Sequence, residues 1–379
     1  MVSAEITEEP LAPPEARRSP LPTAVARFEI RYSRFLDPKG RPVRPLPDFA
    51  HDRAELVALY RAMVLARTFD AKAVALQRTG RLGTYASALG QEAVAVGVAS
   101  AMRADDVFLP SFREHGAQLW RGVSPVELLL FWGGDERGNN FADARVHEDF
   151  PVCVPVGTHA PHAVGVALAL KLRREPRVAV CVFGDGATSK GDVAEALNMA
   201  GAWHLPAVFV VNNNRWAISL PLARQTAAET LAQKAIAAGF DGEQVDGNDV
   251  VAVREAMARA LAKARAGGGP HLIEALTYRL GDHTTADDAS RYRDSAEVSA
   301  RWPEDPIARL RSCLVETGMW TKPDEERLRA ETAATIEEAV QQYLATPPQP
   351  PEAMFDFTYA VLPKDLADQR RAALGPGEE

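Results

Sequence analysis

The sequence predicts an α/β fold in which a parallel β-sheet is covered by helices. Three short apolar runs have the composition of buried strands: RVAVCVF at 177–183, AVFVVNNN at 207–214 and HLIEALTYR at 271–279. Segments with helical spacing of apolar residues precede and separate them. Because strands that alternate with helices are joined by crossovers, they lie parallel in one sheet. The 379 residues suffice for such a domain with a sizeable core.

Helical spacing of apolar residues predicts helices within residues 51–80, 91–102, 125–134, 163–174, 192–204 and 327–346. The first is broken at Gly80. The segment 163–174, AVGVALALKLRR, is apolar on most faces, which predicts a buried helix. The helix at 192–204 lies between two predicted strands and has the length of one crossover.

Proline marks both ends of the chain. Fifteen of the 27 prolines fall in residues 1–47 and 346–379. Because proline opposes continuous helix and strand pairing, we expect an extended arm at 1–50, a single domain at 51–345 and a tail at 346–379. The arm is either a disordered leader or a segment that wraps a neighbouring subunit, and the sequence leaves both open.

Charge and composition exclude several classes of protein. Lys and Arg number 43 against 51 Asp and Glu, so the formal net charge is -8 and nucleic acid is not an expected partner. The three cysteines share no metal-binding spacing, which fits a reducing compartment. No apolar run suits a membrane span, and the first 20 residues lack a signal core and contain acids that a mitochondrial presequence avoids. We therefore expect a cytoplasmic protein.

Polar residues follow two of the predicted strands. Asp185 lies between Gly184 and Gly186 after the first strand, and the second strand ends in three asparagines up to Asn214. Since parallel strands end at the same edge of a sheet, Asp185 and Asn214 are expected side by side. Carboxylate and amide oxygens suit Mg²⁺, and glycines let the backbone approach a phosphate near a helix N-terminus. The pattern predicts a site for Mg²⁺ and a diphosphate.

The GDGATS motif allows two other interpretations. The motif imitates a dinucleotide-binding G-x-G-x-x-G loop, but the third glycine is missing and no acidic residue follows the next strand. A solvated turn after a strand is the second alternative, which the asparagines at crossover distance disfavour.

GDG, followed by 26 residues and then NN, resembles the thiamine diphosphate signature. The surrounding chain, from about 55 to 345, resembles the alpha subunit of the E1 component of 2-oxo acid dehydrogenase complexes. The matching motifs are QRTGRLGTYASALGQEA, FLPSFREHG, GDERGNN, GDGATSKGD, NNNRWAIS, QVDGNDV and LGDHTTADDASRYR.

The resemblance implies a role for individual residues. Asp185, the side chain of Asn214 and the backbone carbonyl of Trp216 would ligate Mg²⁺. Arg113 would clamp the diphosphate, and His283 would be the active-site histidine near the diphosphate and the reactive carbon. The backbone that would hold the diphosphate is that of Gly184, Gly186, Ala187 and Thr188.

Some positions depart from the family pattern or have an open role. Phe112 stands where the family often has a tyrosine, so a phenolic hydrogen bond to phosphate is lost. Val156 matches the apolar residue that supports the bent cofactor. His159 replaces a usual glutamine and either touches the cofactor or fills the wall. His159 and His162 also allow a metal pair, for which no third ligand is evident.

The loop at 284–293 would cover the site and meet the lipoyl domain. Animal relatives carry regulatory serines there, and Thr284 and Asp294 occupy those places in this sequence, which puts phosphorylation control in doubt. The loop is polar, so we expect it to be mobile until His283 is anchored by the cofactor.

The implied activity is thiamine diphosphate-dependent oxidative decarboxylation of a 2-oxo acid with reductive acylation of the E2 lipoyl group. A glutamate from a separate beta subunit would complete the site, so the expected assembly is α2β2. RLGTYASALGQEA and ERGNN favour pyruvate as substrate. A branched-chain 2-oxo acid is the alternative; acetoin cleavage and a non-catalytic diphosphate-binding scaffold are more distant.

Overall fold

The computed structural model describes residues 24–356 and 358–375. The first 23 residues of the expected arm lie outside the described residues, as do 357 and 376–379. The strands are β1 (Tyr32–Ser33), β2 (Val107–Leu109), β3 (Ala179–Gly184), β4 (Ala207–Asn213), β5 (Trp216–Ala217), β6 (Leu220–Pro221), β7 (Asp241–Asp246) and β8 (His271–Leu276). Six of them form a parallel sheet in the order β1-β7-β8-β4-β3-β2, and β5 and β6 form a short antiparallel hairpin.

The helices are α1 (Arg53–Arg78), α2 (Glu92–Ala101), α3 (His115–Arg121), α4 (Pro125–Trp132), α5 (His159–Arg173), α6 (Gly191–Ala202), α7 (Leu222–Gln225), α8 (Gln233–Ala237), α9 (Val250–Arg265), α10 (Ser295–Arg301), α11 (Pro306–Glu316), α12 (Lys322–Ala345), α13 (Ala353–Asp356) and α14 (Lys364–Leu374). The α/β prediction is confirmed, and each predicted helix and strand has a counterpart. None of the helices in the described residues is long and apolar enough to cross a membrane.

The sheet separates two apolar layers because strand side chains alternate between its faces. Val180 and Val182 of β3 pack on one side with α1, α2, α9 and α11. Cys181 and Phe183 of the same strand pack on the other side with α5, α6 and α8. Helices on both faces leave the carboxyl edge of the strands as the open side of the domain.

One prediction about α5 was wrong. We expected a helix buried on most faces, but α5 buries only the side that packs on the sheet, and Leu172 is 74% exposed. The helix also begins at His159, four residues before the predicted start. The apolar residues on the outer face of α5, such as Leu172, are therefore not buried by the described residues of this chain.

Part of the segment assigned to the arm packs against the domain. The backbone N–H groups of Phe35 and Leu36 donate to Oδ2 of Asp249 at 2.7 and 2.8 Å, and both side chains are buried. The Pro-rich tail contains α13 and α14, against the expectation from proline density, because none of its prolines lies inside either helix. The domain boundaries at 50 and 345 stay predictions.

Candidate functional site

The two polar strand ends meet at one edge of the sheet. Gly184 of β3 is in register with Asn212 of β4, so Asp185 and Asn214 both lie just beyond the carboxyl ends of neighbouring strands. After Gly184 the chain forms a 3₁₀ turn over Asp185–Ser189, and α6 begins only at Gly191. The helix predicted at 192–204 is confirmed, and the 3₁₀ turn that precedes it, through Asp185, Gly186 and Ala187, lines the site.

A cavity of about 190 Å³ lies at this edge. Its lining includes the predicted residues Phe112, Arg113, Val156, Gly184, Asp185, Gly186, Ala187, Asn214, Trp216 and His283. Thr188 does not line it: the Thr188 hydroxyl donates to the backbone oxygen of Asp185 at 2.8 Å. Residues that are far apart in the sequence are thus brought together, with one exception.

The three candidate metal ligands offer one carboxylate, one amide and one carbonyl. Asp185 is buried, and burial raises the pKa of its carboxyl to about 6. Asn214 Oδ1 accepts from the backbone N–H of Trp216 at 3.2 Å, and Nη1 of Arg279 lies 3.4 Å from the Trp216 carbonyl oxygen. No group of three or more His, Cys, Asp or Glu side chains with metal-binding geometry occurs in the described residues. This donor set suits Mg²⁺, which keeps waters and phosphate oxygens in its shell.

The cavity wall also fits a phosphate. A Cβ added to Gly184 would meet no atom within 4 Å, so the backbone there is accessible from the cavity, whereas one added to Gly186 would lie 2.9 Å from Cβ of Ala217. Gln91 is buried beside the site: its Oε1 accepts from Asn214 Nδ2 at 3.0 Å, while its Nε2 has no partner in the described residues. A buried donor without a partner is costly, so a ligand oxygen at this point would stabilise the site.

Arg113 is held at the cavity by main-chain oxygens. Its Nη1 donates to the backbone oxygen of Ser87 at 2.5 Å, and its Nη2 donates to the backbone oxygen of His283 at 2.6 Å and to His283 Nδ1 at 2.8 Å. Burial lowers the pKa of the guanidinium to about 10, and Arg279 nearby acts in the same direction. Within the described residues no carboxylate is hydrogen-bonded to the Arg113 guanidinium, so its charge is available to an anion.

His283 is neutral and its tautomer is fixed. Because Arg113 donates to Nδ1, the proton of the neutral ring is on Nε2. Burial, together with the charges of Arg113 and Arg279, lowers the pKa of His283 to about 3. The backbone N–H of His283 donates to Oδ2 of Asp287 at 2.8 Å, which fixes the start of the 284–293 loop.

The remaining predicted residues form the walls. The ring of Phe112 meets the His283 ring edge-on at 5.9 Å, and Val156 is 44% exposed. His159 is buried, and its Nε2 donates to the backbone oxygen of Val182 at 2.8 Å, so Nδ1 is an acceptor without a partner in the described residues. His162 is exposed and packs near Phe150. One ring nitrogen of His159 is therefore already engaged, and no third metal ligand joins the two histidines in the described residues.

Sequence reasoning assigned no role to Gln91, Glu114 or Arg279. Gln91 lies in the quoted motif ALGQEA, so its position was visible without its contact. Glu114 lines the cavity, accepts from the Ser111 hydroxyl, and has its pKa raised to about 7 by burial. Arg279 follows β8 and donates to the backbone oxygen of Ile218 at 2.8 Å. No local sequence pattern reveals these three residues, because the partner of each is distant along the chain or lies in an irregular segment.

The 284–293 loop is tied to the domain more closely than its polarity suggests. Thr285 N–H donates to the backbone oxygen of Tyr85 at 2.8 Å, and Tyr85 N–H donates to Thr285 Oγ1 at 3.0 Å. The Arg293 side chain is buried and donates to the backbone oxygens of Arg279 and Gly281. Burial of Arg293 thus fixes the far end of the loop, contrary to the expectation that burial could not hold it.

The amino-acid sequence is similar to known proteins over most of its length. Residues 60–352 match the family described as Dehydrogenase E1 component. The chain is 45% identical over 313 residues to the 3-methyl-2-oxobutanoate dehydrogenase subunit alpha of Mycobacterium tuberculosis, covering 82% of this chain and 84% of that protein.

Two further relatives carry a different name. The Pyruvate dehydrogenase E1 component subunit alpha of Staphylococcus aureus is 41% identical over 347 residues, covering 91% of this chain and 92% of that protein. The protein of the same name from Bacillus subtilis is 40% identical over 339 residues, covering 88% and 90%.

Proposed function

The chain belongs to the dehydrogenase E1 component family, as an alpha-type subunit of a 2-oxo acid dehydrogenase, and we propose that it holds the diphosphate of thiamine diphosphate and Mg²⁺ at the carboxyl edge of its sheet. The observation that carries the proposal is the convergence of Asp185, Asn214, Arg113 and His283 on one cavity. Thiamine diphosphate, when bound, supplies the nucleophilic carbon and the electron sink that decarboxylation of a 2-oxo acid requires.

The metal ion and the diphosphate each have matching groups in the cavity. Asp185, Asn214 Oδ1 and the Trp216 carbonyl would hold Mg²⁺, and the open backbone at Gly184 supports approach of the diphosphate. The guanidinium group of Arg113 donates only to neutral groups in the described residues and would bind a phosphate oxygen.

His283 would hold a proton at a defined atom. Its Nε2–H can donate to a ligand oxygen, because Nδ1 is occupied by Arg113. The ring stays neutral at physiological pH, so Nε2–H can donate to a ligand without adding a positive charge to the site, while the Nδ1 lone pair stays engaged by Arg113. Phe112 packs edge-on against this ring and would exclude water from it.

A partner subunit is part of the proposal. Val154, Val156 and Ile218 are apolar and 54%, 44% and 53% exposed, and two of them line the cavity. Exposed apolar residues around a site support a covering protein, which the family resemblance identifies as a beta subunit in an α2β2 assembly. An E2 lipoyl domain would receive the acyl group. A cytoplasmic location fits the three free cysteines.

For the substrate we propose pyruvate first and a branched-chain 2-oxo acid second. The relatives at 41% and 40% identity are named as pyruvate dehydrogenases. The relative at 45% identity is named as a 3-methyl-2-oxobutanoate dehydrogenase, which keeps the branched-chain substrate as the second candidate. Acetoin cleavage and a scaffold role have no comparable observation in their favour.

The test is an assay of the chain assembled with its beta subunit over a panel of pyruvate, 3-methyl-2-oxobutanoate and acetoin. We expect decarboxylation that depends on both thiamine diphosphate and Mg²⁺, with the highest kcat/KM for pyruvate. A highest value for 3-methyl-2-oxobutanoate would support the second candidate, and absence of any turnover by a folded assembly with cofactor bound would overturn both.

A further inference from the structure

A second cavity, of about 150 Å³, lies at the same edge of the sheet beyond β1, β7, β8 and β4. It is distinct from the cofactor cavity, since no residue lines both. Four arginines from separate parts of the chain line it: Arg34, Arg215, Arg301 and Arg309. We call it the arginine cavity.

The charges around this cavity do not balance. Its lining carries two carboxylates, Asp246 and Glu304, against the four guanidinium groups. Asp246 Oδ2 lies 2.7 Å from Nη1 of Arg309 and 3.9 Å from Nη1 of Arg34. Glu304 pairs with Arg301 at 3.0 Å, while Arg215 has no carboxylate within 4 Å among the described residues. In the lining the guanidinium groups thus outnumber the carboxylates by two, and Asp249, outside the lining, adds one carboxyl group near Arg309.

One buried polar group in the wall also lacks a partner. Asn248 is 6% exposed and its backbone N–H donates to Asp246 Oδ1 at 3.0 Å, while its side-chain amide keeps solvent contact and is hydrogen-bonded to no other group in the described residues. Arg309 is 2% exposed, and its Nε is buried without a partner. A buried donor without a partner is costly, so an occupant that accepts hydrogen bonds would be stabilised here.

We propose that the arginine cavity binds an oxyanion of phosphate size, free or as the phosphate group of a larger molecule. Its volume is several times what a single water molecule needs, which admits one phosphate group. The donors converge from separate elements, so a tetrahedral anion can use oxygens in several directions. The surplus of guanidinium groups in the lining favours an anion over a metal ion. The proposal does not depend on the proposed reaction.

The test is titration of inorganic phosphate into the chain assembled with its beta subunit, by calorimetry at constant ionic strength. Saturating thiamine diphosphate and Mg²⁺ keep the cofactor cavity occupied during the titration. We expect saturable binding of one phosphate per chain, with competition by sulfate. A phosphomonoester titrated in parallel distinguishes the two sources, because tighter binding than that of phosphate indicates the phosphate group of a larger molecule.

Two variants link binding to this cavity. Asn248→Asp changes one atom and adds a negative charge, so phosphate affinity is expected to fall by at least about tenfold; Asn198→Asp, on the exposed side of α6, is the charge-matched control. Arg34→Gln is the second variant, in case Asn248→Asp does not fold, and Arg31→Gln, an exposed neighbour, is its control. Absence of saturable binding, or affinity unchanged in Asn248→Asp and Arg34→Gln, would overturn the proposal.

Discussion

Burial shifts the pKa values of three titratable side chains of the cofactor cavity in the direction that favours the uncharged form. The pKa of Asp185 rises to about 6, that of Arg113 falls to about 10 and that of His283 falls to about 3. Burial penalises charge when opposite charges are few. A divalent cation beside Asp185 and a diphosphate beside Arg113 would supply those opposite charges. The residues whose charged forms are destabilised by burial are therefore suited to bind charged ligands.

The first prediction concerns the metal ligands. Asp185→Asn and Asn214→Ala should each weaken Mg²⁺-dependent binding of thiamine diphosphate by on the order of tenfold or more, because Mg²⁺ loses a hard oxygen ligand. Calorimetry on the chain assembled with its beta subunit measures this, and circular dichroism checks the fold. Asp105→Asn and Asn198→Ala, at exposed positions, are the matched controls. Unchanged affinity in both variants would refute the assignment.

The second prediction concerns a buried histidine behind the site. His115 Nε2 accepts from Trp132 Nε1 at 2.9 Å, and burial lowers the pKa of His115 to about 3. Between pH 6.5 and 3 the unfolded state binds a proton that the folded state does not, so stability falls as the pH falls, by up to about 1.4 kcal/mol per pH unit.

Denaturant unfolding at several pH values measures this dependence. His115→Gln should lower stability at pH 7 and make the loss of stability below pH 6.5 shallower, since the group that titrates is gone. The exposed His147→Gln is the control and should follow the wild type. Parallel curves for His115→Gln and wild type would contradict the assignment.

How much of the site was visible in the sequence differs from residue to residue. Asp185 and Asn214 follow buried strands, so the parallel edge alone predicts their proximity. Arg113 and His283 lie in loops 170 residues apart, and only the family resemblance linked them to the site. The contact of Gln91 with Asn214 spans 123 residues, and nothing local encodes it.

Among the elements, the longer apolar strands were predicted, whereas β2, which is apolar but only three residues long, and the polar β7 were not. β3 and β4 are buried along their length and rich in valine, which is the pattern the prediction used. β7, Asp241–Asp246, has the sequence DGEQVD and pairs between β1 and β8. Its partner strands and not its composition make it a strand.

The segment 85–88 connects the arginine clamp to the 284–293 loop. Asp70 of α1, which is buried, accepts from the Tyr85 hydroxyl at 2.9 Å, the Ser87 hydroxyl at 2.6 Å and the Ala88 N–H at 2.7 Å. The same segment accepts from Arg113 through the Ser87 carbonyl oxygen and pairs with Thr285 through the Tyr85 backbone. One carboxylate therefore supports both parts of the site.

The third prediction follows from this arrangement. Asp70→Ala should leave three donors without acceptors, loosen the loop and increase trypsin cleavage after Arg291, which is exposed, more than after the buried Arg293. Thiamine diphosphate and Mg²⁺ should protect the loop in the wild-type α/β assembly and protect it less in Asp70→Ala. Limited proteolysis with mass spectrometry measures both effects.

Two controls separate positioning from general destabilisation. Asp70→Asn should behave like the wild type, because the bonds from Tyr85 and Ala88 both go to Oδ1 and the Ser87 hydroxyl can accept from the new amide. Met257→Ala, in the core under α9, should lower stability by about 2–5 kcal/mol without changing cleavage after Arg291. Equal cleavage in Asp70→Ala and Met257→Ala would show that Asp70 has no special role in the loop.

At the scale of the whole molecule, apolar side chains on the outer side of α5 and α6 lack cover. Leu172, Met199 and Trp203 are 74%, 37% and 45% exposed. The single chain also leaves apolar residues exposed around the cofactor cavity, among them Val156. Surfaces of this kind mark protein contacts, and here they lie on the site and on helices whose apolar character the chain itself does not bury.

The last prediction is that the isolated chain is not a complete catalyst. Its cavity binds a diphosphate and a metal in our proposal, but the resemblance assigns the glutamate that activates the aminopyrimidine to a beta subunit. We expect the purified chain to bind thiamine diphosphate more weakly than the α2β2 assembly does and to show no decarboxylation of 2-oxo acids. Adding purified beta subunit should restore both, and Asp185→Asn should remain inactive after that addition, which separates a missing subunit from a defective metal site. Calorimetry and a carbon dioxide release assay are the measurements. Sustained turnover by a preparation that mass spectrometry finds free of beta subunit would mean that this chain carries the whole active site.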